Sequence, residues 1–172
     1  MAVMKAAHAL ACSSTLLLAS GATDASPGQL LERLDCIRRA ELTYGIPQGL
    51  LTAISWVESR HRASAVGPPL AGGHRALGPL QINSIHGRRL AKGGIALRDL
   101  FDPCVAYAVG AWALRQCLDR FGATWKAVGC YNTGPASTSL ATQWRYAAKV
   151  LAAWHAPAAR LSSRPLPTSS LE

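Results

Sequence analysis

Apolar residues along this chain recur mostly at helical spacing. Ser26-Pro27 reads as a helix start, with Ser as N-cap and Pro in the first turn. Leu30, Leu31, Leu34 and Ile37 then lay down an apolar face. Gly45-Ile46-Pro47 breaks that helix and opens a second. Leu50, Leu51, Ile54 and Val57 form its face, and it ends near Glu58. Residues 60–77 hold Gly67, Pro68, Pro69, Gly72 and Gly73, the composition of a loop. A short element is expected from about Leu80 to Leu90. Asp102-Pro103 starts a long helix through Val105, Ala108, Trp112 and Leu118, which stops at Phe121-Gly122. Thr124 caps a short helix through Val128, and a last helix spans about Thr142 to Trp154. No strand-like alternation of useful length and no internal repeat is present. The pattern predicts a mainly α, single-domain chain.

The two ends read differently. Met1 to Lys5 is a short basic start, followed by an apolar stretch through Leu10, Leu16, Leu17 and Leu18. Small residues Ser20-Gly21-Ala22-Thr23-Asp24-Ala25 come next, the cleavage pattern of a secretory signal peptide. Residues 1–25 are therefore expected to be a cleaved leader, residues 26–156 the domain, and the Pro- and Ser-containing residues 157–172 a disordered tail. The apolar run is too short to remain as a membrane anchor, so the protein is expected in the periplasm.

Cysteine usage fits export. Of the 5 Cys, Cys12 falls in the leader, leaving Cys36, Cys104, Cys117 and Cys130. An even number in an oxidising compartment reads as two disulfides, and four cysteines allow three pairings. A Cys36–Cys104 bridge closes a long loop and a Cys117–Cys130 bridge a short one. No CxxC spacing or His pair suggests a metal site, and no cofactor is expected. His61, His74, His86 and His155 are scattered and read as surface or loop residues.

Composition narrows the chemistry. The net charge is +9, from 18 basic and 9 acidic residues among 172. Loss of the leader removes Lys5 and Asp24 and leaves that balance unchanged. Such charge suits an anionic envelope as well as nucleic acid. Arg88, Arg89 and Lys92 form only a small basic run without a nucleic-acid motif, so no nucleic-acid partner is expected. Glutamates are scarce: Glu32, Glu41, Glu58 and Glu172. Glu58 follows Ile54 by four residues and Leu51 by seven, which puts it on the apolar face of the second helix. A carboxyl there loses water and holds its proton towards neutral pH, as a general acid on a glycosidic oxygen must. The plainer reading is a Glu at a frayed helix end paired with Arg60 or Arg62.

Four pieces stand in order: Val57-Glu58-Ser59, Gly78-Pro79-Leu80-Gln81-Ile82-Asn83, Asp102-Pro103-Cys104, and Ala127-Val128-Gly129-Cys130-Tyr131-Asn132-Thr133-Gly134. Tyr146 follows in the last helix. Together they resemble the lytic transglycosylases, whose fold is a lysozyme-like helical domain with a glycan-binding cleft. The likeness runs over about residues 30–155 and is nearest to the small members that accompany type III and type IV secretion systems, conjugation machines and pili. Those members share an early Cys and an Asp/Asn-Pro-Cys segment, here Cys36 and Cys104; the pairing itself stays open among the three.

The resemblance implies roles position by position. Glu58 matches the catalytic acid/base. Gln81 and Asn83 match a polar pair lining the glycan groove. Tyr131 and Asn132 match the Tyr-Asn motif, with Tyr131 near the catalytic carboxyl, and Tyr146 matches a late Tyr facing the same cleft. The family's Gly-Leu-Met-Gln is Gly78-Pro79-Leu80-Gln81 here. Pro79 loses an N–H, and Leu80 replaces a Met that touches sugar, so subsite fit is where a difference is expected. Thr133 replaces an Ala of the Tyr-Asn-Ala-Gly pattern.

The implied reaction cleaves the N-acetylmuramic acid–N-acetylglucosamine β-1,4 bond of peptidoglycan and closes a 1,6-anhydro ring. It needs one carboxyl, which suits a chain where Asp99 and Asp102 read as helix-start residues. The implied partners are peptidoglycan glycan strands and components of a secretion, conjugation or pilus apparatus. Two other readings are a lysozyme-type hydrolase with water as nucleophile and a non-catalytic glycan-binding assembly module.

Overall fold

The computed structural model describes residues 26–156. The expected leader and tail lie outside the described residues. Among the described residues six α-helices form: α1 (Pro27–Tyr44), α2 (Leu50–Ser59), α3 (Gly87–Lys92), α4 (Pro103–Phe121), α5 (Trp125–Thr133) and α6 (Leu140–Trp154). A hairpin of two short strands, β1 (Ala76–Leu77) and β2 (Ile82–Asn83), pairs antiparallel with Leu77 opposite Ile82.

Local chemistry accounts for most helix ends. Ser26 and Gln29 form a capping box at α1, and Gly45 closes it at φ 59°. Asp102 caps α4 through the Val105 N–H, with Pro103 in the first turn. Thr124 caps α5 through the Ala127 N–H. Asp99 serves a 3₁₀ turn over Leu97–Phe101 by accepting from the Ala96 N–H at 2.8 Å.

Several details depart from the sequence expectations. The second helix starts not at Pro47 but at Leu50, after Gly49 in a left-handed conformation. Its start lacks a side-chain cap of its own. Glu41 of α1 supplies one: its two carboxylate oxygens accept from the Gly49 and Leu51 N–H groups at 3.0 and 2.9 Å. The expected element from Leu80 to Leu90 is split into the end of the hairpin, a 3₁₀ turn over Ser84–His86 and α3. Strands of two residues are too short to show a period of two. α5 runs past Val128 to Thr133, so the Tyr-Asn segment is helical rather than a loop.

The core forms where α1 and α4 pack together and where α5 lies between α4 and α6. Leu51, Ile54, Leu80, Leu100, Leu114 and Val150 are its fully buried centre. Two disulfides brace it, Cys36–Cys104 between α1 and α4 and Cys117–Cys130 between α4 and α5. They pin α4, the helix that α1 and α5 pack against. The basic run in α3 is partly packed: the Arg89 guanidinium lies 4.5 Å above the Trp112 ring and donates to Gln116 at 3.1 Å.

Candidate active site

α2 delivers Glu58 half-buried at its last turn, directly after the buried positions Leu51, Ile54 and Ser55. The helix stops because Arg60 and His61 turn left-handed, at φ 58° and 62°. The two neighbouring arginines are engaged elsewhere. Arg60 stacks 4.4 Å over the Trp56 ring, and Arg62 donates to the Ser59 carbonyl at 3.0 Å. Glu58 instead meets α6. The Tyr146 hydroxyl donates to its Oε1 at 2.6 Å, and Lys149, one turn further along, adds positive charge.

These contacts set the protonation balance. Burial raises the Glu58 pKa above its ordinary 4.5, while the Tyr146 hydrogen bond and the Lys149 charge pull it back. The net direction is upward, which favours the protonated acid. Burial also holds Tyr146 and Tyr131 well above an ordinary phenol, and the negative charge of Glu58 adds to this in both. Both therefore stay neutral donors.

The tight turn joining the two strands packs against the end of α2 and against Tyr131. Gln81 N–H bonds the Gly78 carbonyl at 3.1 Å, which places Pro79 second in a four-residue turn. That position needs no N–H and suits the proline φ, so Pro79 fits without loss. A side chain at Gly78 would run into the Leu100 carbonyl, and its φ is 71°. Leu80, which stands where the family has a Met, is fully buried and packs on Gly110, so its side chain belongs to the core. Its carbonyl accepts the Tyr131 hydroxyl at 2.8 Å.

The other sequence-predicted residues are more dispersed. Gln81 is half-buried at φ 48°, and its amide donates to the Gly78 carbonyl at 2.9 Å and the Ala65 carbonyl at 3.4 Å. It ties down the 65–78 loop. Asn83 is half-buried and caps the next turn by accepting from the Ile85 N–H at 3.0 Å. Asn132 is exposed on α5. Asp99 and Asp102 are engaged at helix starts, and Glu41 holds the start of α2. Among the described residues no group of three or more His, Cys, Asp and Glu could hold a metal ion.

His61 corrects the sequence reading. It is not a surface residue: 7% exposed, it sits against Trp56 with Nδ1 3.0 Å from the Ser55 Oγ. Ser55 and Tyr107, joined at 2.9 Å, were also not singled out. A polar residue at a core position of an amphipathic helix is the only sequence signal for Ser55.

The family model described as "Transglycosylase SLT domain" matches residues 35–152. The chain belongs to the lytic transglycosylases. Among the relatives of this transglycosylase is "Invasion protein IagB" of Salmonella typhimurium, 39% identical over 117 residues, or 67% of this chain and 72% of the relative. "X polypeptide" of Escherichia coli (strain K12) is 38% identical over 120 residues, covering 69% of this chain and 70% of that one. "Protein IpgF" of Shigella flexneri is 35% identical over 118 residues, covering 68% and 77%. The matched span of the transglycosylase contains α2, the hairpin, α5 and the Tyr146 turn of α6, so every element that frames Glu58 lies within it.

Proposed function

We propose that Glu58 is the single acid/base of this transglycosylase. The observation that carries the reading is the 2.6 Å bond from the Tyr146 hydroxyl to a half-buried carboxyl whose pKa is raised by burial. As acid, Glu58 gives its proton to the glycosidic oxygen while the C1–O4 bond of the N-acetylmuramic acid–N-acetylglucosamine linkage breaks. The resulting carboxylate then takes the proton of the muramic 6-hydroxyl as O6 bonds to C1. Glu58 is regenerated as the acid, the 1,6-anhydro ring is closed, and no water is consumed. Substrate supplies the nucleophile, so a second protein carboxylate is not required, unlike a two-carboxylate glycosidase.

Tyr146 remains a neutral donor to the carboxyl, suited to steadying it as its charge changes, while Tyr131 donates to the Leu80 carbonyl and holds the turn against α5. Gln81 and Asn83 lie on the turn and strand facing Tyr131, and Asn132 is exposed on α5. We assign them to contacts with the glycan strand.

The setting is the periplasm, reached through the leader. The likeness to a protein named for invasion supports local opening of the cell wall for a secretion, conjugation or pilus apparatus. Mass spectrometry of digested peptidoglycan tests the chemistry. Anhydro-muramic ends are expected, and their absence in favour of reducing ends would mean hydrolysis.

A further inference from the structure

Next to Glu58 on α2 lies a buried hydrogen-bond cluster that the proposed chemistry does not use. Ser55, three residues before it, is 0% exposed. Its Oγ lies 2.9 Å from the Tyr107 hydroxyl of α4, 3.0 Å from His61 Nδ1 and 3.3 Å from the Pro79 carbonyl oxygen. Ser59, directly after Glu58, donates to the same carbonyl at 2.8 Å. Ser55, Ser59, His61 and Tyr107 are all buried, so water does not substitute freely for these bonds.

The proton inventory is restrictive. A serine hydroxyl has one proton and two lone pairs. All three Ser55 contacts form together in one arrangement: Tyr107 O–H and His61 Nδ1–H donate to Oγ, and Ser55 donates to Pro79. An imidazole protonated only on Nε2 would take the Ser55 proton and leave the Ser55–Pro79 contact unmade. Full satisfaction therefore places a proton on Nδ1, an assignment from bonding partners.

His61 reaches this position through strained backbone. Arg60 and His61 are consecutive non-glycine residues with positive φ, at 58° and 62°. Each costs about 1–2 kcal/mol relative to a right-handed residue and persists only where its surroundings hold it. The strain folds the imidazole back beneath the end of α2, instead of letting the chain leave towards solvent.

The cluster joins the parts that must stay in register. Pro79 is the second residue of the turn that carries Gln81, and the next carbonyl, of Leu80, receives the Tyr131 hydroxyl. Ser55 and Ser59 flank Glu58 on its own helix and both bond this turn.

We infer that His61 and Tyr107 are positioning residues, which act through Ser55 to fix the Glu58 end of α2 against the Gly78–Gln81 turn. This rests on Glu58 being the acid/base. Neither residue touches the glycan. Their effect is on the distance between the acid and the turn that carries Gln81, a geometry to which rate is steeply sensitive.

The test compares variants of the oxidised, exported protein on soluble glycan strands, with kcat, KM and the melting temperature measured for each. His61→Phe keeps the ring volume and removes Nδ1, and Tyr107→Phe removes only the hydroxyl. Each is expected to lower kcat about tenfold, with KM within about twofold. The double variant is expected to lose no more than about the worse single variant, because both residues act through one hydroxyl. His61→Asn, whose amide N–H can stand near the Nδ1 position, is expected to recover most of kcat. Should His61→Phe fail to fold, Tyr107→Phe and His61→Asn carry the same comparison.

Unchanged kcat in the folded single variants overturns the positioning role. So do losses that multiply in the double variant, and losses that track a falling melting temperature without recovery in His61→Asn. Glu58→Gln is assayed alongside. Activity in Glu58→Gln defeats the acid/base assignment itself. An inactive Glu58→Gln beside fully active His61→Phe and Tyr107→Phe defeats only the positioning role.

Discussion

The Tyr146 hydroxyl donates to Glu58 Oε1 at 2.6 Å, linking the last helix to the end of the second across 88 residues of sequence. The bond opposes burial: burial raises the Glu58 pKa, and the donor lowers it by stabilising the charged form. Tyr146→Phe removes the lowering influence, so the carboxyl holds its proton to higher pH. Activity that requires protonated Glu58 should then persist further into the alkaline range. The expected outcome is an alkaline limb of kcat/KM displaced to higher pH, together with a rate about tenfold lower at the optimum from lost orientation. A limb displaced to lower pH would contradict this account of the pair.

Glu58 itself is expected to cost stability. Its folded pKa lies above the ordinary 4.5. Between those two values the folded protein binds the proton more than the unfolded chain does, so stability falls as pH rises through that window. Above the folded pKa the full cost is present; below 4.5 it is absent. Glu58→Gln removes the titration and can still accept from Tyr146. Its melting temperature should exceed that of the parent at pH 7, and the difference should shrink at pH values below 4.5. Clearing of peptidoglycan in a zymogram should fall by at least about a hundredfold.

Sequence reveals these features unevenly. Ser26-Pro27 and Asp102-Pro103 mark helix starts because capping chemistry is confined to a few residues. The apolar face through Leu51 and Ile54 is likewise visible, and both residues are fully buried. Glu41 is not, because it serves the Gly49 and Leu51 N–H groups of the following helix and nothing in the α1 pattern marks it. His61 reads as loop because its burial depends on two left-handed residues that no local signal demands. The core place of Leu80 is not visible in its own motif, because Gly110 of α4, thirty residues on, makes room for it. Glu58, Tyr131 and Tyr146 suggest one site only when their motifs are compared with a family, since spacing does not report distances across the fold.

Glu41 offers a test of the fold apart from the chemistry. Its carboxylate is the cap of α2, a helix whose own start has no side-chain hydrogen bond. Glu41→Ala leaves the Gly49 and Leu51 N–H groups without that acceptor in a largely buried setting. A loss of about 2–3 kcal/mol is expected in urea unfolding. Glu32→Ala on the same helix, with Glu32 exposed, should stay within about 0.5 kcal/mol.

Gly110 reports on how closely α4 approaches the turn. A methyl group there would overlap the Leu80 side chain, which is fully buried. Gly110→Ala gains helix propensity worth about 1 kcal/mol, but overpacking costs about 1–3 kcal/mol and pushes on the carbonyl that holds Tyr131. Lower stability together with reduced kcat is expected. Leu80→Ala should cost less stability in the Gly110→Ala chain than in the parent, because there it also removes the atoms in conflict.

The two disulfides should contribute unequally. Cys36–Cys104 spans 68 residues and Cys117–Cys130 spans 13. In the chain-entropy picture the longer loop restrains the unfolded chain more, by about 4 kcal/mol against about 3 kcal/mol. The native contacts separate them further. Cys36 and Cys104 join α1 to the first turn of α4, next to the Asp102 cap. Cys117 and Cys130 join α4 to α5 one residue before Tyr131. Replacing the first pair with Ala should therefore lower the unfolding midpoint more and leave kcat of the folded enzyme near the parent value. Replacing the second should cost less stability but lower kcat, because it loosens the helix that carries Tyr131. Urea unfolding and initial rates on the same samples check both; a larger stability loss from the second pair would show that native-state packing at Cys117 and Cys130 outweighs loop length.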